Sequence, residues 1–447
     1  MNADPHVMDA LVRRCAAGEI EAFLRQGDDC GWCRHPVRLE GRRVAVDPSD
    51  GTRHVVFSSA TLPDGVVLKA CGNRRETRCP TCAAVYRSDA RHLVRAGLEG
   101  GKGIDAAVAE HPALLLTLTA PSFGPVHRVR SGAPCRPGPS KRRCRHGRPE
   151  ACFIRHQNAD QMVGTPVCPD CYDYDGAVLH NALAPELWRR TSIYIPRYLA
   201  RTMGLTQAAC RERFRLSYVR VAEFQRRGAV HLHVIVRLDT VDGEVPDVAA
   251  ELLASACEAA ARAVSVSVAG RALAWGDQVD TSVLDRGEAR PRRVAAYVAK
   301  YATKSSESSG ALDRRIHSAE DLAGRRLPAH ERRLATRAWV FGSEEALEHL
   351  HLRRYAHVLG YGGHFLSKSR RYSTTFGSLR GARVAWREAH RTRDDESPEC
   401  SYEATWLAVG IGWANRGEAA CAEQSRDAAA YARRLARESE HEDDEFT

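Results

Sequence analysis

The sequence predicts an α+β fold in which an antiparallel sheet and packed helices are joined by small metal-stapled modules. Three observations carry this expectation. Two β-type runs, "RLSYVRVAEF" (215–224) and "VHLHVIVRL" (230–238), flank the turn-like "QRRGA". Strongly helical stretches occupy 247–266 and 290–307. Three Cys-x-x-Cys knuckles stand at 30–33, 79–82 and 168–171.

With 447 residues the chain is too long for one compact core. Its pattern divides into four parts. Residues 1–110 hold a short helix, a cysteine-rich ribbon and a basic helical stretch at 83–101. Residues 111–310 open with "HPALLLTLTA", whose apolar run reads as a strand ended by Pro121 and Gly124. Within this part lies a cysteine-rich insertion, 135–175, and a helical segment at 184–204 that Pro196 is expected to kink or break. Residues 311–435 are basic and mainly helical, interrupted by the glycine-rich "LGYGGHFLSKSRRYSTTFG". The acidic end, 436–447, has the composition of a disordered tail.

The formal net charge is +10, and only Lys69, Lys102, Lys141, Lys300, Lys304 and Lys368 among the 66 basic residues are lysines. A GC-rich genome accounts for most of the arginine excess. The net positive charge still points to a polyanionic partner such as nucleic acid. No stretch has the apolar length of a membrane span, and the N-terminus lacks a signal-peptide layout, so a cytoplasmic protein without a membrane partner is expected. Fifteen cysteines then argue for metal rather than disulfides. No P-loop, dinucleotide fingerprint or internal repeat occurs.

Cys30, Cys33, Cys79 and Cys82 bracket a strand-rich segment in the layout of a four-cysteine zinc ribbon. Cys71 is a fifth donor able to replace one of the first pair. Cys144, Cys152, Cys168 and Cys171 form a second set, with Cys135 and His146 as spare donors. Both are read as closed, structural Zn²⁺ sites, about two ions in all, because four thiolates leave no open position for water.

Side chains alternate along a strand, so His231, His233, Ile235 and Arg237 share one face, and Leu232, Val234, Val236 and Leu238 the other. The aliphatic face is a core face. The two imidazoles stand about 7 Å apart along the strand, within reach of one cation. Folding 215–224 back through "QRRGA" in the simplest register sets Glu223 opposite His231, which adds an oxygen donor suited to Mg²⁺ or Mn²⁺. An alternating strand can also carry two merely solvated histidines, and the hairpin alone leaves that alternative open.

In "AAYVAKYATK", at about 100° per residue, Tyr297, Lys300, Tyr301 and Lys304 fall on one helical face about 100° wide. On its own this is the wet face of an amphipathic helix. Beside a metal hairpin it has a chemical use. A nearby Lys⁺ favours phenolate, and a divalent metal polarising a phosphate lowers the demand on tyrosine as a nucleophile.

Together, "LLLTLTA", "HLHVIV" and "YVAKYATK" resemble, in order and spacing, the three motifs of the HUH rolling-circle replication initiators. The paired tyrosines resemble the microvirus type, in which two tyrosines alternate in cleavage and joining. The stretches "KACGNRRETRCPTC", "CPDCYDYDGAVL" and "HFLSKSRRYSTTFG" resemble initiators of actinobacterial plasmids and integrative conjugative elements. The resemblance implies an HUH core of about five antiparallel strands within 111–310, with the tyrosine helix packed across it. It implies His231 and His233 as metal ligands, Tyr297 and Tyr301 as nucleophiles, and Glu223 as the third ligand. Implied partners are single- and double-stranded origin DNA, bound with help from the zinc modules and the basic 311–435 region, and a host helicase. A relaxase or single-strand transposase would share this chemistry. Nucleotide hydrolases with a His-hydrophobic-His motif need a further histidine where Ile235 stands, and a non-catalytic zinc-dependent regulator would leave the hairpin without purpose.

Overall fold

The computed structural model describes residues 5–284, 289–304, 314–389 and 401–445. It divides into two compact units, Asp89–Arg380 and Met1–Ser88 with Gly381–Thr447. In the first unit, β1 (Ala113–Leu118), β2 (Phe214–Phe224), β3 (Val230–Thr240), β4 (Val279–Val283) and β5 (Leu366–Lys368) pair antiparallel in the order β5-β2-β3-β1-β4. Helices α1 (Tyr174–Thr202) and α2 (Ala250–Ala263) cover one face. There Leu114, Leu116, Leu232, Val234 and Val236 are fully buried against residues such as Leu187, Ile195 and Leu253. Each such side chain contributes roughly 1.5–3 kcal/mol by burial. A one-residue slip of β3 would carry the whole aliphatic row to the opposite face, so the register is fixed. Across the sheet, α3 (Ala289–Lys304) packs against β2 and buries Ala295, Val298 and Ala299.

Two expectations about elements change. Helix α1 continues through Pro185 and Pro196, so of the kink or break expected at Pro196 the break does not occur. Its long buried face outweighs the roughly 3 kcal/mol that an interior proline costs. The acidic end is helical to Glu445, at the close of a helix that begins at Arg416. Alanine, arginine and glutamate are strong helix formers, which explains the continuation.

The two units also differ from the linear division expected from the sequence. Strand Ser401–Ile411 pairs antiparallel along the full length of Val37–Val46, and helix Arg416–Glu445 packs on Pro5–Ala16. Both ends of the chain therefore build one unit. Buried Arg14 ties them electrostatically, donating to Glu418 (2.7 Å), Glu19 and Asp64. Residues 314–380 belong instead to the other unit, where β5 extends the sheet and α4 (Ala329–Phe341) packs on α1.

A polar network closes the far end of the histidine-bearing face. Buried Arg237 donates to Asp239 through Nε (2.6 Å) and Nη2 (3.0 Å), and to the Gly97 carbonyl through Nη1. His111 (2.8 Å) and Ser217 complete the shell of Asp239. Tyr372, from the end of the glycine-rich loop, lies 5.4 Å from the Arg237 guanidinium and donates to the Val94 carbonyl at 3.1 Å. Its ring occupies the space a side chain at position 97 would fill, so glycine is required there. Burial pushes the Asp239 carboxyl up, but His111, Arg237 and Ser217 outweigh it and hold the group at about 2. The stabilisation from ionised Asp239 is thus present above its unfolded value near 4 and is lost as pH falls toward 2. Arg237→Leu leaves this carboxylate without its main partner and is expected to cost about 3–5 kcal/mol, measured as a lower urea midpoint at neutral pH.

Candidate metal and nucleophile site

The hairpin β2–β3 is closed by a tight turn in which Gln225 N–H bonds the Ala229 carbonyl and Gly228 N–H bonds that of Gln225, both at 2.8 Å. Gly228 has φ +72°, and a Cβ there would meet Leu334 at 2.4 Å. Beneath the turn lies Asn181 of α1, fully buried. Its Nδ2 donates to the carbonyls of Gly228 (2.8 Å) and Leu359 (2.9 Å), and its Oδ1 accepts from Val230 N–H (2.8 Å). The turn is therefore anchored from the core side.

The register sets Phe224 opposite Val230, Glu223 opposite His231 and Val221 opposite His233. Glu223 Oε2 lies 3.0 Å from His231 Nε2 and 3.5 Å from His233 Nε2, and the three residues form one possible metal-binding group. On the neighbouring strand β1, Thr117 faces His233, and its hydroxyl stands 3.2 Å from His233 Nδ1. This contact orients the ring and leaves Nε2 toward the carboxylate. Burial pushes the Glu223 carboxyl up, yet hydrogen bonding and charge from both histidines prevail and hold it at about 2. Burial pushes the His233 imidazole down, partly offset by Glu223, which favours the neutral, metal-binding form.

Tyr297 brings the tyrosine helix to this cluster. Its ring packs edge-on to His233, with centroids 5.3 Å apart and planes at 80°, while 39% of the residue stays exposed. Lys300 is exposed on the same helix. Tyr301 and Lys304 lie in the last turn of α3, and their side chains fall outside the described residues.

The cysteine sets are regrouped. Cys33, Cys71, Cys79 and Cys82 converge, with Sγ–Sγ separations of 3.6–3.7 Å for three of the pairs. A tetrahedron with arms of about 2.3 Å has edges of about 3.8 Å, so the four fit zinc. Cys30, expected in this set, caps the helix Ile20–Asp29, and its thiol turns to the Gly27 carbonyl at 3.3 Å. Cys71 takes its place. In the second set, His146 joins Cys144, Cys168 and Cys171, its Nδ1 3.2 Å from Cys171 Sγ. Cys152 is drawn away because its backbone pairs with Arg136, which sets it beside Cys135. Thr117 and Asn181 were not singled out from the sequence. Their signal is faint, a polar residue inside a largely apolar run.

A "Replication initiator protein" of Streptomyces ambofaciens is 38% identical over 434 residues, covering 92% of this chain and 90% of that protein. The model of the RepSA family, described as "Replication initiator protein, pSAM2", matches residues 19–427, and the chain belongs to this family. No solved structure matches. No helix among the described residues is long and apolar enough to cross a membrane.

Cys71→Ser is expected to remove one equivalent of zinc from the purified protein while Cys30→Ser removes none, as measured by metal analysis. Asn181→Ala strands buried hydrogen-bonding groups of the turn at about 1–3 kcal/mol, and should speed amide exchange at Val230 and His231.

Proposed function

We propose that the protein initiates rolling-circle replication of a plasmid or integrative element as an HUH-type nicking and joining enzyme. The observation that carries this reading is the convergence of Glu223, His231 and His233 under the ring of Tyr297. Membership of a replication initiator family supports the biological role. Glu223, His231 and His233 offer one carboxylate and two imidazoles, which would hold Mn²⁺, or Mg²⁺ through the carboxylate with waters and substrate phosphate filling its shell. When bound, that ion supplies polarisation of the scissile phosphate.

The chain's own residues do the rest. Tyr297 or Tyr301 loses its proton to solvent, with the Lys300 and Lys304 charges favouring the phenolate, and the phenolate oxygen attacks phosphorus as the departing 3′ oxygen takes a proton from solvent. The bond to the 3′ oxygen breaks, leaving a free 3′-hydroxyl that primes synthesis and a 5′ phosphate esterified to tyrosine. Attack by a 3′-hydroxyl on that ester reverses the steps and rejoins the strand. Origin DNA, single- and double-stranded, is the substrate. The zinc sites and the arginine-rich surface contribute duplex binding, and a host helicase opens the strands ahead.

Incubation with single-stranded origin DNA and Mn²⁺ or Mg²⁺ is expected to give a covalent protein–DNA adduct on a denaturing gel. The Tyr297→Phe/Tyr301→Phe double variant should give none. His231→Ala should slow cleavage at least about 100-fold, since loss of a mere outer-shell partner already costs 10–100-fold. Adduct formation by the double variant would sink the tyrosine mechanism, and metal-dependent cleavage at full rate by His231→Ala would sink the ligand assignment.

A further inference from the structure

Between Leu118 and Tyr174 the chain forms no helix and no strand, and most side chains from Arg128 to Asn158 are exposed. So long a stretch lacks the apolar core to hold itself. Inside it, four buried residues turn their donors toward one another: His127, Cys135, Cys152 and His156. His156 Nε2 lies 3.2 Å from His127 Nδ1 and 3.5 Å from Cys152 Sγ, and Cys135 Sγ lies 3.8 Å from His127 Nδ1. Tetrahedral arms of about 2.0–2.3 Å give edges of about 3.3–3.8 Å, the span observed.

We propose that these four residues bind a zinc ion, a third structural site distinct from the Cys33 and Cys144 groups. Two thiolates and two neutral imidazoles balance Zn²⁺, so the buried site carries no net charge. The surroundings are built for that state. Arg128 N–H donates to Cys135 Sγ at 3.3 Å, as suits a thiolate, and His156 Nδ1 bonds the Asp160 carboxylate, which aims Nε2 inward. A short ladder between Arg136 and Cys152 holds the two cysteines side by side. The Cys152-x₃-His156 spacing lies in the range found between zinc ligands.

The site also braces the nicking hairpin. His127 exchanges backbone bonds with Gly164 (2.8 Å) and Thr165 (2.9 Å). Gly164 packs so tightly on Arg226 that a Cβ would stand 2.5 Å from its carbonyl carbon, and Arg226 donates to the Asn158 carbonyl. Arg226 sits in the turn between Glu223 and His231. The ion therefore holds the insertion against the outside of the turn whose core side Asn181 holds.

The test is zinc content of the full-length protein after denaturing release, so it does not depend on whether the protein nicks DNA. Three zinc per chain are expected, and two in Cys135→Ser/Cys152→Ser. A wild-type content of two, or an unchanged content in the variant, overturns the site. Asp160→Asn keeps all four ligands and guards against misfolding. One zinc should then yield to a chelator about 10–100-fold more readily, whereas unchanged release overturns the positioning role of Asp160. Amide exchange at residues 225–229 should rise in the cysteine variant, and an unchanged rate overturns the bracing.

Discussion

The period of two along β3 is the constraint on which the rest of the structure depends. Leu232, Val234 and Val236 face α1 and α2, which leaves His231 and His233 facing the other way. Neither set can move without the other. The burial energy of the aliphatic row thus positions the histidines, and the hairpin register converts that into a fixed place for Glu223. Asn181 adds a polar lock at the turn, where strand pairing alone would let the hairpin breathe.

The histidine face carries the opposite energetic burden. Glu223 and His233 are desolvated, which opposes the charge on each, and they are tolerated because they satisfy one another and Thr117. Farther along the same face, Arg237, Asp239, His111 and Ser217 form a second polar group with every charge paired. The two groups differ in exposure to a ligand. The Arg237 network is closed by Tyr372 and the Gly97 carbonyl, whereas the Glu223 cluster borders a tyrosine that is partly open to solvent.

How far the sequence revealed this depends on the range of each interaction. Glu223 opposite His231 was legible because a five-residue connection leaves few registers, and alternation is local. The Tyr297 face was legible from helical period, while its approach to His233 came only through the family resemblance, since nothing local says how α3 crosses the sheet. The Cys30–Cys33 knuckle favours Cys30 over Cys71 in the sequence, and only the helix ending at Asp29 turns Cys30 toward Gly27. His127 and His156 stand outside any knuckle, and their meeting depends on the pairing of Arg136 with Cys152. The union of the two chain ends was invisible for the same reason: residues about 365 apart pair in one ladder, as Val37 does with Ile411 or Val46 with Ser401.

Donor number and type then separate what each site does in the proposed reading. The cysteine-bearing groups bring four donors each, a set that would close a tetrahedron around zinc and leave nothing for a substrate. The Cys144 and His127 groups stand in a largely exposed stretch, where a metal would replace a core, whereas the Cys33 group also packs on Leu68 and Trp413. The Glu223 group brings three donors, one of them an oxygen, from a hairpin whose other face is well packed. That packing holds the hairpin without help from an ion in the proposed reading, and three protein ligands would leave positions open for phosphate oxygens. In the proposed reading stability and chemistry fall to different metals. Chelation strong enough to strip zinc should unfold the modules, whereas withholding Mg²⁺ or Mn²⁺ should stop cleavage in a protein that remains folded.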